Sequence, residues 1–150
     1  MQKEFWKNKE LKDFTKEEWE ALCDGCGKCC FNKVIDGHLW NKKVYLTCVA
    51  CNLLDVNTLQ CTDYNNRFLK QKSCIKLNPH KVKHFKWLPK TCAYRLIYEK
   101  KELYPWHPLI SGNKESVKEA GITVQDGINE CNAFGKDSLL DYYDYIIEEI

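Results

Sequence analysis

The chain lacks any long apolar run. Its start, MQKEFWKNKELKDF, is charged throughout and holds no hydrophobic stretch of signal-peptide length. Nowhere does it approach the ~18 consecutive apolar residues of a membrane span. These absences make a cytoplasmic protein with no membrane partner the expectation. Enzyme signatures are missing too: there is no G-x-G-x-x-G, no P-loop, no G-x-S-x-G and no H-E-x-x-H. No internal repeat, low-complexity linker or domain boundary interrupts the sequence, so residues 1–150 are expected to form one domain. Arginine is scarce, with only Arg67 and Arg95 among 23 basic residues.

Cysteine, by contrast, is abundant, at ten residues. A reducing cytoplasm holds such thiols unpaired, so dense cysteine points to metal binding before it points to a disulfide framework. The chain is also 44% hydrophobic, enough to build a core. Its charge is uneven. The last fourteen residues, DSLLDYYDYIIEEI, hold five acids and no base. Between Arg67 and Lys101 stand eleven Lys or Arg and one acid, Glu99. That segment reads either as a solvated lysine face or as a nucleic-acid footprint. No base-reading motif accompanies it.

Local patterns predict short elements. Thr15 and Glu18 form a capping box for a helix over TKEEWEAL. Val34-Ile35 and Val44-Tyr45-Leu46 predict a hairpin across residues 33–47, turning at Asp36-Gly37 or in His38-Leu39-Trp40-Asn41. Residues 48–75 read as irregular. Asn78-Pro79 and Leu88-Pro89 look like helix starts, leading into HKVKHF and KTCAYRLIYEKK. Tyr104 to Leu109 reads as an extended, proline-bounded loop, KESVKEA as a brief helix and ITVQD as a strand. Asp137 is a plausible N-cap for a last helix carrying Leu140, Tyr143 and Ile147. The expected fold class is α+β: a small domain of short helices, a hairpin and irregular cysteine-rich segments organised around metal.

The run CDGCGKCC puts four thiols in eight residues: Cys23, Cys26, Cys29 and Cys30. Zinc usually takes its ligands as pairs from two segments. Three equally spaced thiols plus a remote fourth is the arrangement around cubane iron–sulfur clusters. Cys30 neighbours Cys29, and adjacent side chains diverge, so Cys30 faces a second centre or the core. Cys48, Cys51, Cys61, Cys74, Cys92 and Cys131 are further donors. Their number permits two four-thiolate centres with two left over. It does not assign them.

CDGCGKCC matches the CxxCxxCC signature of a bacterial cysteine-cluster family described as zinc- or iron-chelating domains. Cys51-Asn-Leu-Leu54, Cys61-Thr-Asp-Tyr64 with Arg67, and Cys74 resemble that family's continuation. Phe5-Trp6, Trp19-Glu-Ala-Leu-Cys23, Trp87-Leu-Pro-Lys-Thr-Cys-Ala-Tyr-Arg-Leu96 and Trp106-His-Pro-Leu109 are similar to its YcgN-like and YkgJ-like members. The resemblance implies eight metal ligands: Cys23, Cys26, Cys29, Cys30, Cys51, Cys61, Cys74 and Cys92. Cys48 and Cys131 fall outside the pattern. The implied cofactor is an iron–sulfur cluster (4Fe–4S among the options) or iron, with zinc as the alternative. The family brings no activity with it.

Two readings of other classes stay open. One is a structural zinc protein acting as a nucleic-acid or protein adaptor. The other is a redox or transferase enzyme pairing the cluster with His107 as ligand, hydrogen-bond donor or proton carrier, although a histidine held in a proline-rigid loop beside Trp106 is the simpler reading of that residue. His80 and His84 stand four apart among lysines and read as surface. Arg67 and Arg95 read as structural ion-pair partners, and Tyr64, Tyr94 and the tryptophans as core.

Overall fold

The computed structural model describes residues 4–134 and 141–150. In chain order its elements are α1 (Lys16–Ala21), β1 (Phe31–Asp36), β2 (Lys43–Ala50), β3 (Leu54–Asp55), β4 (Gln60–Cys61), α2 (Arg67–Lys70), α3 (Ala93–Tyr98), α4 (Pro108–Ser111), α5 (Ser116–Glu119), β5 (Ile128–Asn129), α6 (Glu130–Phe134) and β6 (Ile146–Glu149). Five 3₁₀ turns join them, at Phe5–Lys7, Leu11–Asp13, Lys28–Cys30, Val82–His84 and Tyr142–Tyr145. This is the expected α+β mixture. The chain divides into two compact units, each built from two segments: Met1–Cys26 with Lys76–Ile122, and Gly27–Ile75 with Thr123–Ile150.

The first unit is helical and aromatic. Thr15 and Glu18 close the capping box of α1 reciprocally: Thr15 Oγ1 accepts the Glu18 amide at 3.2 Å, and the Glu18 carboxylate accepts the Thr15 amide at 3.0 Å. The helix thereby presents Trp19 and Leu22 to one core. There Trp19 lies 4.5 Å from Tyr94 of α3, ring centre to ring centre, and its indole N–H donates to the Leu77 carbonyl. Phe5, Trp6, Phe14, Val82, Phe85, Leu88, Leu96 and Leu103 complete this core. Leu22 and Leu88 are fully buried, and burying a leucine stabilises by about 1.5–3 kcal/mol. Arg95 is structural, as expected: it pairs with Glu99 at 2.8 Å, one helical turn on, and donates to the Leu88 carbonyl.

The second unit is a small sheet. Strand β2 is its centre, paired antiparallel with β1 and β6 and parallel with β5. Asp36 pairs with Lys43, so the hairpin loop is Gly37–Lys42, the longer of the two alternatives. Phe31, Leu46, Ala50, Leu54 and Val124 form the core beneath. Residues 48–75 are more ordered than expected: β3 and β4 make a second hairpin and α2 follows.

Several expectations are corrected. HKVKHF forms only the 3₁₀ turn Val82–His84, because a segment with four polar and charged residues has too little apolar face to extend a helix. Pro108 begins α4 inside the expected loop, with His107 as its N-cap. Residues 122–126 carry no strand; the extended pair lies later, in β5. Of the last expected helix, Asp137 and Leu140 lie outside the described residues, while Tyr143 sits in a 3₁₀ turn and Ile147 in β6. Pairing with β2 overrides the helical spacing there. Trp40 in the hairpin loop is fully exposed and Tyr64 half exposed, so neither is core; the Tyr64 ring lies under the Arg67 guanidinium at 3.6 Å, and Arg67 makes a cation–π contact where an ion pair was expected.

Candidate metal centre

The run CDGCGKCC is shared between the units. Cys23 and Cys26 belong to the first, with Cys92; Cys29 and Cys30 belong to the second, with Cys51, Cys61 and Cys74. All ten cysteines are among the described residues, and all are thiols.

In the second unit five thiols come from four short turns. The Lys28–Cys30 turn supplies Cys29, exposed, and Cys30, half-buried against the core as expected; but the two adjacent side chains converge where divergence was expected, with sulfurs 3.8 Å apart. Cys51 follows the end of β2, Cys61 ends β4 and Cys74 follows α2; all three are half-buried. Backbone bonds tie the Cys30, Cys51 and Cys61 segments together. The Cys51 amide donates to the Cys30 carbonyl at 2.8 Å, and the Leu53 amide donates to the Cys51 sulfur at 3.4 Å. Leu54 pairs with Cys61 across the β3–β4 hairpin.

Two of these thiols are shifted from their ordinary pKa, with the other sulfurs among the causes. The Cys29 hydrogen bond holds the Cys30 thiol below its usual range, helped by Lys33; burial and the charges of Cys51 and Cys74 oppose it. Burial pushes the Cys74 thiol up; Arg67 lowers it, while Cys51, Cys61 and Cys29 add to the rise. Mutual repulsion of thiolates is what a bound cation would relieve.

In the first unit, the Cys26 amide donates to Asp24 Oδ1 at 3.0 Å, and Gly25 takes a left-handed φ of 77°, so the CDGC loop bends sharply. Asp24 Oδ2 is buried and has no hydrogen-bond partner among the described residues. Cys26 is buried, Cys92 half-buried and Cys23 exposed.

As the side chains stand, no three His, Cys, Asp or Glu among the described residues are gathered to hold a metal ion. The donor chemistry fits a thiophilic ion or cluster: soft sulfurs on short turns, an amide aimed at a sulfur, and cations beside them.

His107 is placed otherwise than a ligand requires. It is fully buried; the Leu109 amide donates to Nδ1 at 3.1 Å, and Nε2 lies 3.0 Å from the Leu22 carbonyl. An amide can only donate, so Nδ1 is the acceptor and the proton sits on Nε2. Burial depresses the His107 pKa, against the Leu22 hydrogen bond and Asp24. A neutral imidazole with both nitrogens engaged is a brace between α1 and α4. His80 and His84 are exposed.

Cys48 lies on β2 and packs against the core of its unit. Cys131, exposed in α6, donates its amide to Asn52 Oδ1 at 2.8 Å. Sequence reasoning missed three braces of the thiol turns. The Asn129 side-chain Nδ2 donates to the carbonyls of Cys51 and Leu54 at 2.9 and 2.8 Å. Lys33 donates to carbonyls of the cysteine turn, and buried Lys28 pairs with Glu148 of β6 at 2.5 Å. No local pattern announces Asn129 or Glu148, which reach across the chain.

The fold and these residues define a cysteine-rich α+β protein. The chain belongs to UPF0260, an uncharacterised bacterial protein family. A UPF0260 protein of Pasteurella multocida (strain Pm70) is 50% identical over 145 residues, covering 97% of this chain and 94% of the relative. One from Haemophilus influenzae (strain 86-028NP) is also 50% identical over 145 residues, covering 97% and 90%. A third, from Mesorhizobium japonicum, is 42% identical over 149 residues and covers 99% of both. No family model matches the chain, and no solved structure does. No helix among the described residues is long and apolar enough to cross a membrane.

Proposed function

We propose that this chain is a metal-binding protein of the CxxCxxCC cysteine-cluster type, working in a reducing, cytoplasmic setting. The donors are Cys29, Cys30, Cys51, Cys61 and Cys74 in one unit, and Cys23, Cys26 and Cys92 in the other. An iron–sulfur cluster or iron is the lead occupant and zinc the alternative. The observation that carries this reading is that one unit holds five free thiols on short neighbouring segments, with the Cys29 and Cys30 sulfurs 3.8 Å apart. A cluster would supply one-electron chemistry, with potentials tuned by hydrogen bonds to sulfur. The chain supplies such bonds at Cys51 through the Leu53 amide, and positive charge at Lys33 and Arg67.

The competing readings draw less support. A His107-assisted enzyme needs a nitrogen that His107 has already committed. In the basic 67–101 segment, Arg95 and Lys101 both pair with Glu99, and Lys70 pairs with Asp63.

Anaerobic purification, elemental analysis and a visible spectrum test the proposal. Iron with acid-labile sulfide and broad absorption near ~400 nm is the expected result. Stoichiometric zinc in a colourless protein would select the alternative. Fully folded protein, natively expressed and kept from air, that carries no metal would end both.

A further inference from the structure

Between Lys28 and Asn32 every backbone carbonyl has a partner. Lys33 Nζ donates to the carbonyls of Lys28 at 2.6 Å, Cys29 at 3.1 Å and Phe31 at 2.6 Å. The Cys51 amide takes the Cys30 carbonyl, and the Thr47 hydroxyl takes that of Asn32. An ammonium has three donors on one compact centre, which suits three carbonyls converging on a point. Strand geometry alone would not aim Lys33 there. The β1–β2 register shifts between Phe31 and Lys33, and such a bulge redirects a side chain.

We infer that Lys33 is the positioning residue of this region, clamping the Lys28–Cys30 turn so that the sulfurs of Cys29 and Cys30 stand side by side as a preformed two-thiol chelate for a thiophilic ion. Nothing in the CxxCxxCC pattern marks Lys33. The inference rests on the proposed metal-binding role only for the identity of the natural ligand. The geometry of the pair is independent of it. Preorganisation matters because a flexible pair must lose freedom before it can chelate.

Phenylarsine oxide probes the pair directly. Its arsenic forms bonds to two thiol sulfurs, the As–O bond breaks, and the oxygen leaves as water with both thiol protons; nothing is oxidised. Binding to metal-free protein is measured in the wild type, Lys33→Met and Lys33→Arg, with Cys29→Ser fixing how much belongs to this pair. The Cys29-dependent affinity should fall about tenfold in Lys33→Met. It should fall similarly in Lys33→Arg, because a planar fork cannot gather three carbonyls at one point. Labelling of half-buried Cys48, packed on the core of the same unit, should not speed up, which a general loss of structure would not allow. Wild-type affinity in Lys33→Met, or restoration by Lys33→Arg, would overturn the inference.

Should the variants fail to fold, partial acetylation of wild-type protein replaces them. Molecules acetylated at Lys33 should lose the arsenical by mass spectrometry, and those acetylated at Lys42 should keep it; equal retention would overturn the inference. A parallel zinc titration separates the two ideas. If wild-type protein takes up no metal but the arsenical still depends on Lys33, the metal-binding reading fails and the positioning role stands. If zinc binds equally well to wild type and Lys33→Met and the arsenical is indifferent too, the reverse holds.

Discussion

His107 shows how a structural histidine can resemble a functional one. In the sequence it is a histidine beside a tryptophan, close to nothing but prolines. In the fold its two nitrogens join the Leu22 carbonyl to the Leu109 amide. Truncating it to alanine leaves a cavity and an unsatisfied buried carbonyl, at a cost of about 2–4 kcal/mol in urea unfolding. The sign of its pH effect follows from its depressed pKa. The unfolded chain binds a proton near the ordinary histidine value of about 6.5; the folded chain does so only at lower pH. Stability contributed by neutral His107 is therefore complete above that value and declines as pH falls through it towards the folded pKa. Urea midpoints for the wild type should drop between pH 7.5 and pH 5.5, and His107→Gln should flatten that slope. An equal slope in both proteins would remove the neutral brace.

At the scale of elements, glycines separate two kinds of constraint. A Cβ at Gly37 would sit 2.1 Å from the Asn41 backbone oxygen, at a φ of 103°. The β1–β2 loop would have to rebuild, so Gly37→Ala should cost at least ~2 kcal/mol by thermal or urea unfolding. A Cβ at Gly25 would meet nothing within 4 Å, so only its left-handed backbone opposes substitution. Gly25→Ala should cost on the order of 1 kcal/mol. Parity between the two variants would contradict the loop geometry. Legibility in the sequence follows the same division. The capping box of α1, the hairpin and α5 rest on contacts a few residues apart, and their residues declared them. The lost strand at 122–126 and the misjudged last helix depend on what pairs with β2, a long-range choice that local propensity cannot see. The thiols were legible as a count and a spacing. Their braces, Asn129 and Glu148, lie 78 and 120 residues away from their partners Cys51 and Lys28 and were not.

At the scale of the whole molecule, the thiols predict a linkage. A ligand bound only by the native state raises its stability by about 2.7 kcal/mol when present at one hundred times its dissociation constant. The unfolding midpoint of metal-free protein should therefore climb with added zinc. Cys61→Ser and Cys74→Ser should blunt the climb, while Cys48→Ser and Cys131→Ser should leave it intact. A midpoint indifferent to zinc in the wild type would mean that these sulfurs bind no such ion in the folded state.

The interleaving of the two units bears on how the protein is made. Residues up to Cys26 need Lys76–Ile122 to complete their unit, and Gly27–Ile75 need Thr123–Ile150. A ribosome therefore releases the first thiols long before the segments that complete their unit exist. Strand β6, which secures Lys28 through Glu148, emerges after every other element described. Until β6 has been made, the nascent chain displays the thiols of the Lys28–Cys30 turn without the ion pair that secures it, so on the proposed role metal uptake follows the synthesis of β6.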